Sequence, residues 1–117
     1  MDQNYKQLIE LLLPAGILDY FELTNSTKNA KGISIYLEEK NIIPEEYKDQ
    51  LLHSKGFLPE TSIEDFPIRG HKVALRIKRR RWVVQPTGQI VTRNWTLVIE
   101  GTRMTTEFGL FLKGIFG

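Results

Sequence analysis

Lys72-Val73-Ala74-Leu75-Arg76-Ile77-Lys78-Arg79-Arg80-Arg81-Trp82-Val83-Val84 is the stretch that decides the fold. As far as Lys78 it alternates Val73, Leu75 and Ile77 with Lys72, Ala74, Arg76 and Lys78. A period of two marks a strand with one buried face. Arg79 and Arg81 then fall on the apolar parity, where unpaired cations are costly to bury. Either the strand leaves the core near Arg79 or a bulge turns it, and both give a protruding basic ribbon. Pro67 and Gly70 bracket the turn before this strand. Pro86-Thr87-Gly88 closes it with a tight turn, and Gln89 to Arg93 returns as a second strand.

Downstream, Trp95 to Glu100 suits a further strand, stopped by Gly101. Thr105 caps a last helix with Phe108, Phe111, Leu112 and Ile115 on one stripe. Gly109 and Gly114 each cost that helix about 1 kcal/mol relative to Ala, so it needs packing to persist. Upstream, residues 2–13 predict a helix with Tyr5, Leu8, Ile9 and Leu12 on one face, capped by Asp2 and stopped by Pro14. The pattern favours a helix packed on the core over one that binds a partner. Residues 17–23 and 33–38 suit two strands joined by a long polar loop, Thr24 to Gly32. Pro44 opens a short helix running to about Leu52, and His53 to Thr61 reads as loop or irregular extended chain.

The chain has 117 residues, one domain's worth, so 1–117 is expected to fold as a single unit. Hydrophobic residues at 41% and charged residues at 26% are a folding composition. No run of about 18 apolar residues predicts a membrane helix. Asp2 and Glu10 spoil a signal-peptide reading of the N-terminus, so the expected location is cytoplasmic. There is no cysteine, which excludes disulfides, thiolate zinc sites and cysteine nucleophiles. The net charge of +2 hides an asymmetry: residues 1–65 are net −6 and residues 66–117 net +8. Such polarity points to an anionic partner for the second half, or to two halves that neutralise each other.

Arg76, Lys78, Arg79, Arg80 and Arg81 are the first candidates for phosphate contacts, because arginine forks match phosphate oxygens. Arg69, Lys72 and Arg93 extend the patch, and Trp82 either stacks on a base or packs in the core. A two-stranded ribbon also fits the major groove of duplex DNA. The plain alternative is a solvated charged strand. The paired carboxylates Glu38-Glu39, Glu45-Glu46 and Glu64-Asp65 read as helix-start or solvated acids rather than catalytic groups. His53 and His71 have no metal-ligand spacing, so neither metal nor cofactor is expected.

Glu64-Asp65-Phe66-Pro67-Ile68-Arg69-Gly70-His71-Lys72-Val73, Ile77 to Trp82, Gly88 to Trp95 and Gly101-Thr102-Arg103-Met104-Thr105 resemble the separately encoded N-terminal region of a bacterial insertion-sequence transposase. Leu13 to Phe21 and Tyr36 to Asn41 fit the same family, so the resemblance covers nearly the whole chain. More distantly the layout is similar to transposases that begin with a zinc ribbon. In those, a basic strand ending in Arg-Arg and an aromatic leads to a cysteine pair. Here Trp82 is followed by Val83 to Gly88 with no cysteine, and the other knuckle would fall near Asn41 to Tyr47, again with none. The resemblance thus implies a metal-free ribbon held by packing. It also implies an accessory part, since the carboxylate-triad catalytic core of that family has no room in this chain.

The expected fold is α+β: an N-terminal helix, a β-hairpin, a second basic antiparallel β-ribbon resembling a metal-free zinc ribbon, and a C-terminal helix. The expected function is a non-catalytic DNA-binding region of an insertion-sequence transposase, contacting transposon-end duplex DNA. The rival is a protein-interaction module that docks on a separate catalytic transposase subunit or forms a homodimer; no membrane partner is expected.

Overall fold

The computed structural model describes residues 3–14 and 16–95. Its architecture is α+β with two sheets and little helix. The element order is α1 (Gln3–Leu12), α2 (Ile17–Tyr20), β1 (Phe21–Asn29), β2 (Gly32–Glu39), a 3-10 turn (Glu45–Tyr47), β3 (Leu52–Phe57), β4 (Thr61–Ile68), β5 (His71–Lys78), β6 (Arg80–Val84) and β7 (Gln89–Val91). One sheet has four strands in the order β1-β2-β5-β4, and the other has three in the order β3-β6-β7.

The basic stretch is two strands, not one. β5 runs in the four-stranded sheet, Arg79 lies outside either strand, and β6 begins the next sheet at Arg80. That single residue inverts the parity. Val73, Leu75 and Ile77 are buried before it, and Trp82 and Val84 after it. Arg79 and Arg81 therefore stay off the core positions and are half-buried.

In the larger sheet β2 pairs in parallel with β5, while β1–β2 and β4–β5 are antiparallel hairpins. Because the two central strands run the same way, both hairpin turns lie at the same end. Gly32 marks how close they come: its φ is 141°, and a Cβ there would overlap the Lys72 carbonyl oxygen. The β4–β5 turn is Arg69-Gly70, with φ of 51° and 77°. Two successive positive values are what a type I′ hairpin turn requires.

One face of this sheet is covered. Leu37, Val73, Leu75 and Ile77 pack with Leu13, Ile17, Leu18, Phe21 and Trp95. Trp95 stacks on Phe21 at a centroid distance of 5.4 Å and meets Tyr20 edge-on at 5.6 Å. The smaller sheet has its own cluster of Leu52, Trp82, Val84 and Val91, with Tyr47 against it.

Several expectations are corrected. Ile17 to Tyr20 is a helical turn rather than strand, and the polar Thr24–Asn29 expected as loop continues β1. The helix expected over 44–52 is only the 3-10 turn Glu45–Tyr47. Most of His53 to Thr61, expected as loop or irregular extended chain, is the regular strand β3, and β4 was not anticipated as a strand. α1 is present and touches the core through Ile9, but none of its residues is fully buried, and Tyr5, Leu8, Leu11 and Leu12 are exposed. The strand expected after Trp95 and the C-terminal helix from Thr105 lie outside the described residues. Among the described residues no helix is long and apolar enough to cross a membrane.

Candidate nucleic-acid interface

The basic stretch is divided between an open sheet face and a joint between the sheets. The joint is built on Glu39, 1% exposed at the end of β2. Its Oε2 accepts from Arg93 Nε at 2.8 Å and its Oε1 from the Arg80 backbone N–H at 3.0 Å. Its backbone carbonyl accepts from Arg80 Nε at 3.1 Å. Arg93 also donates to the Ile42 carbonyl, and its guanidinium lies 5.1 Å from the Tyr20 ring centroid and 5.7 Å from that of Trp82. Burial pushes the Glu39 carboxyl above its ordinary value of 4.5, against the Arg93 and Arg80 hydrogen bonds that hold it down.

Five of the expected phosphate-contact residues are therefore occupied or enclosed. Arg93 is 7% exposed and ion-paired, so it cannot extend a surface patch. Trp82 is fully buried, and its Nε1 donates to Asn41 Oδ1 at 3.0 Å, which rules out base stacking in this conformation. Arg80 is held by Glu39, by Ser54 Oγ and over the Phe57 ring at 4.6 Å. Arg81 donates to the Lys55 carbonyl at 3.2 Å. Arg79 sits at the crossover, its carbonyl accepting from the Leu58 N–H at 2.8 Å. The expected protruding ribbon is instead a strand tied to β3 on one side and β7 on the other.

The open face of the larger sheet carries the other cations. Pairing aligns Asn25, Tyr36, Arg76 and Ser62 in one row across the four strands, and Thr27, Ser34, Ala74 and Glu64 in the next. Arg76 lies over the Tyr36 ring at 5.7 Å, donates to Ser34 Oγ at 3.4 Å and meets Glu60 at 3.3 Å. Lys78 shares its row with Glu38 and Glu22, which neutralises that end. The opposite end is different. There the two hairpin turns bring Lys28, Lys31, Arg69 and Lys72 to one end of the sheet, all exposed; Lys31 and Lys72 line the open face, while Lys28 falls in the row of Ile33 and Val73, whose face is the covered one.

Arg69 and Lys72 were expected in the interface; Lys28 and Lys31 were not. They belong to the acidic half of the sequence, and only the parallel β2–β5 pairing brings them to the same end. Their signal was weak but present: Lys28 and Lys31 flank Asn29-Ala30, where the Asn29 side chain accepts from the Lys31 N–H at 2.8 Å. Between this end and Arg76 the open face holds a depression of about 290 Å³.

Among the described residues no three His, Asp or Glu side chains gather to hold a metal ion. The hairpin-turn end offers cations to an anion. No known protein family, curated protein or solved structure matches the chain.

Proposed function

We propose that this chain is a non-catalytic DNA-binding region of an insertion-sequence transposase. Its phosphate contacts come from the hairpin-turn end of the larger sheet rather than from the whole basic stretch. What supports the reading is the placement of Lys28, Lys31, Arg69 and Lys72 at one end of the sheet, four exposed cations drawn from both halves of the sequence. Flexible exposed cations gain from releasing the counterions of a polyanion and carry no sequence preference themselves. The metal-free ribbon reading is supported by the cluster of Leu52, Trp82, Val84 and Val91 with Tyr47 against it, and by the Trp82 Nε1 hydrogen bond to Asn41.

The test is binding of a labelled duplex at a series of salt concentrations. Four phosphate contacts predict a slope of log affinity against log salt between about −3 and −4. Binding that ignores salt, or none at low salt, would end this reading.

One observation favours a second reading, an interaction module for a catalytic subunit or a second copy. Tyr5, Leu8, Leu11 and Leu12 leave α1 with an apolar exposed stripe. Under that reading light scattering finds a mass that rises with concentration, or with an added catalytic partner, and α1 substitutions abolish the rise.

A further inference from the structure

The depression on the open face has a floor and walls of distinct chemistry. Its floor is Ala74, the one small residue between Lys72 and Arg76 on β5. Lys31 and Lys72 stand at the hairpin-turn end, and Arg76 closes the other end over Tyr36. The sides carry Ser34, Ser62 and the carboxylate of Glu64. Phe66, two residues beyond Glu64 in the irregular stretch of β4 between Asp65 and Ile68, is 78% exposed.

Each feature argues against a simple phosphate cradle. A carboxylate in the depression repels a phosphate, but it accepts from the exocyclic amino group of a base, as Glu and Asp do from cytosine. Hydroxyls beside it serve a base edge equally well. A flat ring fits over an alanine floor, whereas a duplex keeps its base faces stacked inside and presents only base edges and backbone. Exposed aromatic surface and a guanidinium plane next to a cationic track are the means by which proteins hold unpaired bases.

We infer that this depression takes one unpaired, amino-bearing base of a single-stranded nucleic acid, with the flanking phosphates held by Lys31 and Lys72. The inference rests on the nucleic-acid reading above and specifies its substrate as locally single-stranded. Glu64 selects cytosine over thymine, because thymine offers no amino donor. Phe66 stacks on the neighbouring base.

The experiment compares four probes by fluorescence anisotropy or competition at one salt concentration: a 12-nucleotide oligo-dC, an oligo-dT of equal length, a mixed-sequence 12-base-pair duplex, and free dCMP. The parent is expected to bind oligo-dC at least tenfold tighter than the duplex and several-fold tighter than oligo-dT, with dCMP at least a hundredfold weaker. Ala74→Leu fills the depression without touching a charge and should remove the tenfold preference. Its duplex affinity and unfolding midpoint should stay at the parent values. Glu64→Gln should lose the cytosine preference, and Phe66→Ala should weaken oligo-dC several-fold. Equal binding of oligo-dC and duplex, or an unchanged preference in Ala74→Leu, overturns the inference while leaving DNA binding intact. Binding of dCMP as tight as oligo-dC overturns it in favour of a mononucleotide site. No binding of any probe at low salt fails the nucleic-acid reading itself.

Discussion

Lys72 and Arg80 belong to one basic stretch, yet the first stands exposed at a hairpin-turn end and the side chain of the second is held by the Glu39 backbone carbonyl, a hydroxyl and an aromatic ring. The difference comes from the break at Arg79. Before it, the cations alternate with a buried row and project onto an open sheet face. After it, Arg80 crosses to a second sheet beside Glu39, and Arg93 arrives from beyond β7 to complete the pair. A run of like charges is therefore not a single patch. Its members divide according to which sheet each strand joins, and only some remain available to a partner.

The comparison predicts opposite phenotypes for the two regions. The largest effect belongs to the joint. Arg93→Ala strands a buried carboxylate and should cost about 3–5 kcal/mol in denaturant unfolding. The cost should depend on pH. Burial raises Glu39 above 4.5, and Arg93 opposes that rise, so its removal lifts the folded-state value further. A carboxyl raised in the folded state contributes stability below its unfolded value and loses it as pH rises through its folded value. The variant should accordingly recover part of its deficit between neutral pH and about pH 4. A deficit that grows in acid would contradict the assignment of Glu39 as the stranded group.

Arg80→Ala removes the guanidinium bonds to the Glu39 carbonyl and Ser54 but keeps the backbone N–H that Glu39 accepts. About 1.5–3 kcal/mol of stability should go with it, from hydrogen bonds to a charged group. The salt slope of DNA binding should stay at the parent value, and a shallower slope would move Arg80 into the interface.

At the hairpin turn the sign of the stability effect reverses. Arg69 holds a φ of 51°, a region that costs most residues about 1 kcal/mol and asparagine less. Arg69→Asn should raise the unfolding free energy by up to about 1 kcal/mol while removing roughly one phosphate contact from the slope. A variant more stable and weaker in binding would separate the surface cations from the structural ones within a single substitution.

Much of this division was legible in part. The Val73/Leu75/Ile77 alternation and the Pro86-Thr87-Gly88 turn are local patterns and stand where expected, and the turn expected between Pro67 and Gly70 narrows to Arg69-Gly70 because Pro67 and Ile68 belong to β4. The clash of Arg79 with the apolar parity marked the place where the chain changes sheets. What stayed hidden depends on long-range pairing. Thr24 to Asn29 carries no apolar alternation, because most of β1 is exposed on both faces and is a strand only through its partner β2. β3 is likewise a strand because β6 pairs with it, despite its mostly exposed residues. Glu39 looked like one of two solvated acids, since its partner Arg93 lies 54 residues away. α1 had a core helix's periodicity, but only Ile9 of its stripe packs on the core, because periodicity states which face is apolar and not how much of it is covered.

The most direct test of the division is the salt dependence of DNA binding by the Lys28→Ala, Lys31→Ala, Arg69→Ala, Lys72→Ala quadruple variant. All four side chains are exposed, so folding should be little disturbed and the unfolding midpoint close to the parent's. If the hairpin-turn end is the interface, the slope should become shallower by roughly 3 or more and affinity at low salt should collapse. A folded variant that binds with the parent's slope would contradict the account and return the interface to the β6 side of Arg79.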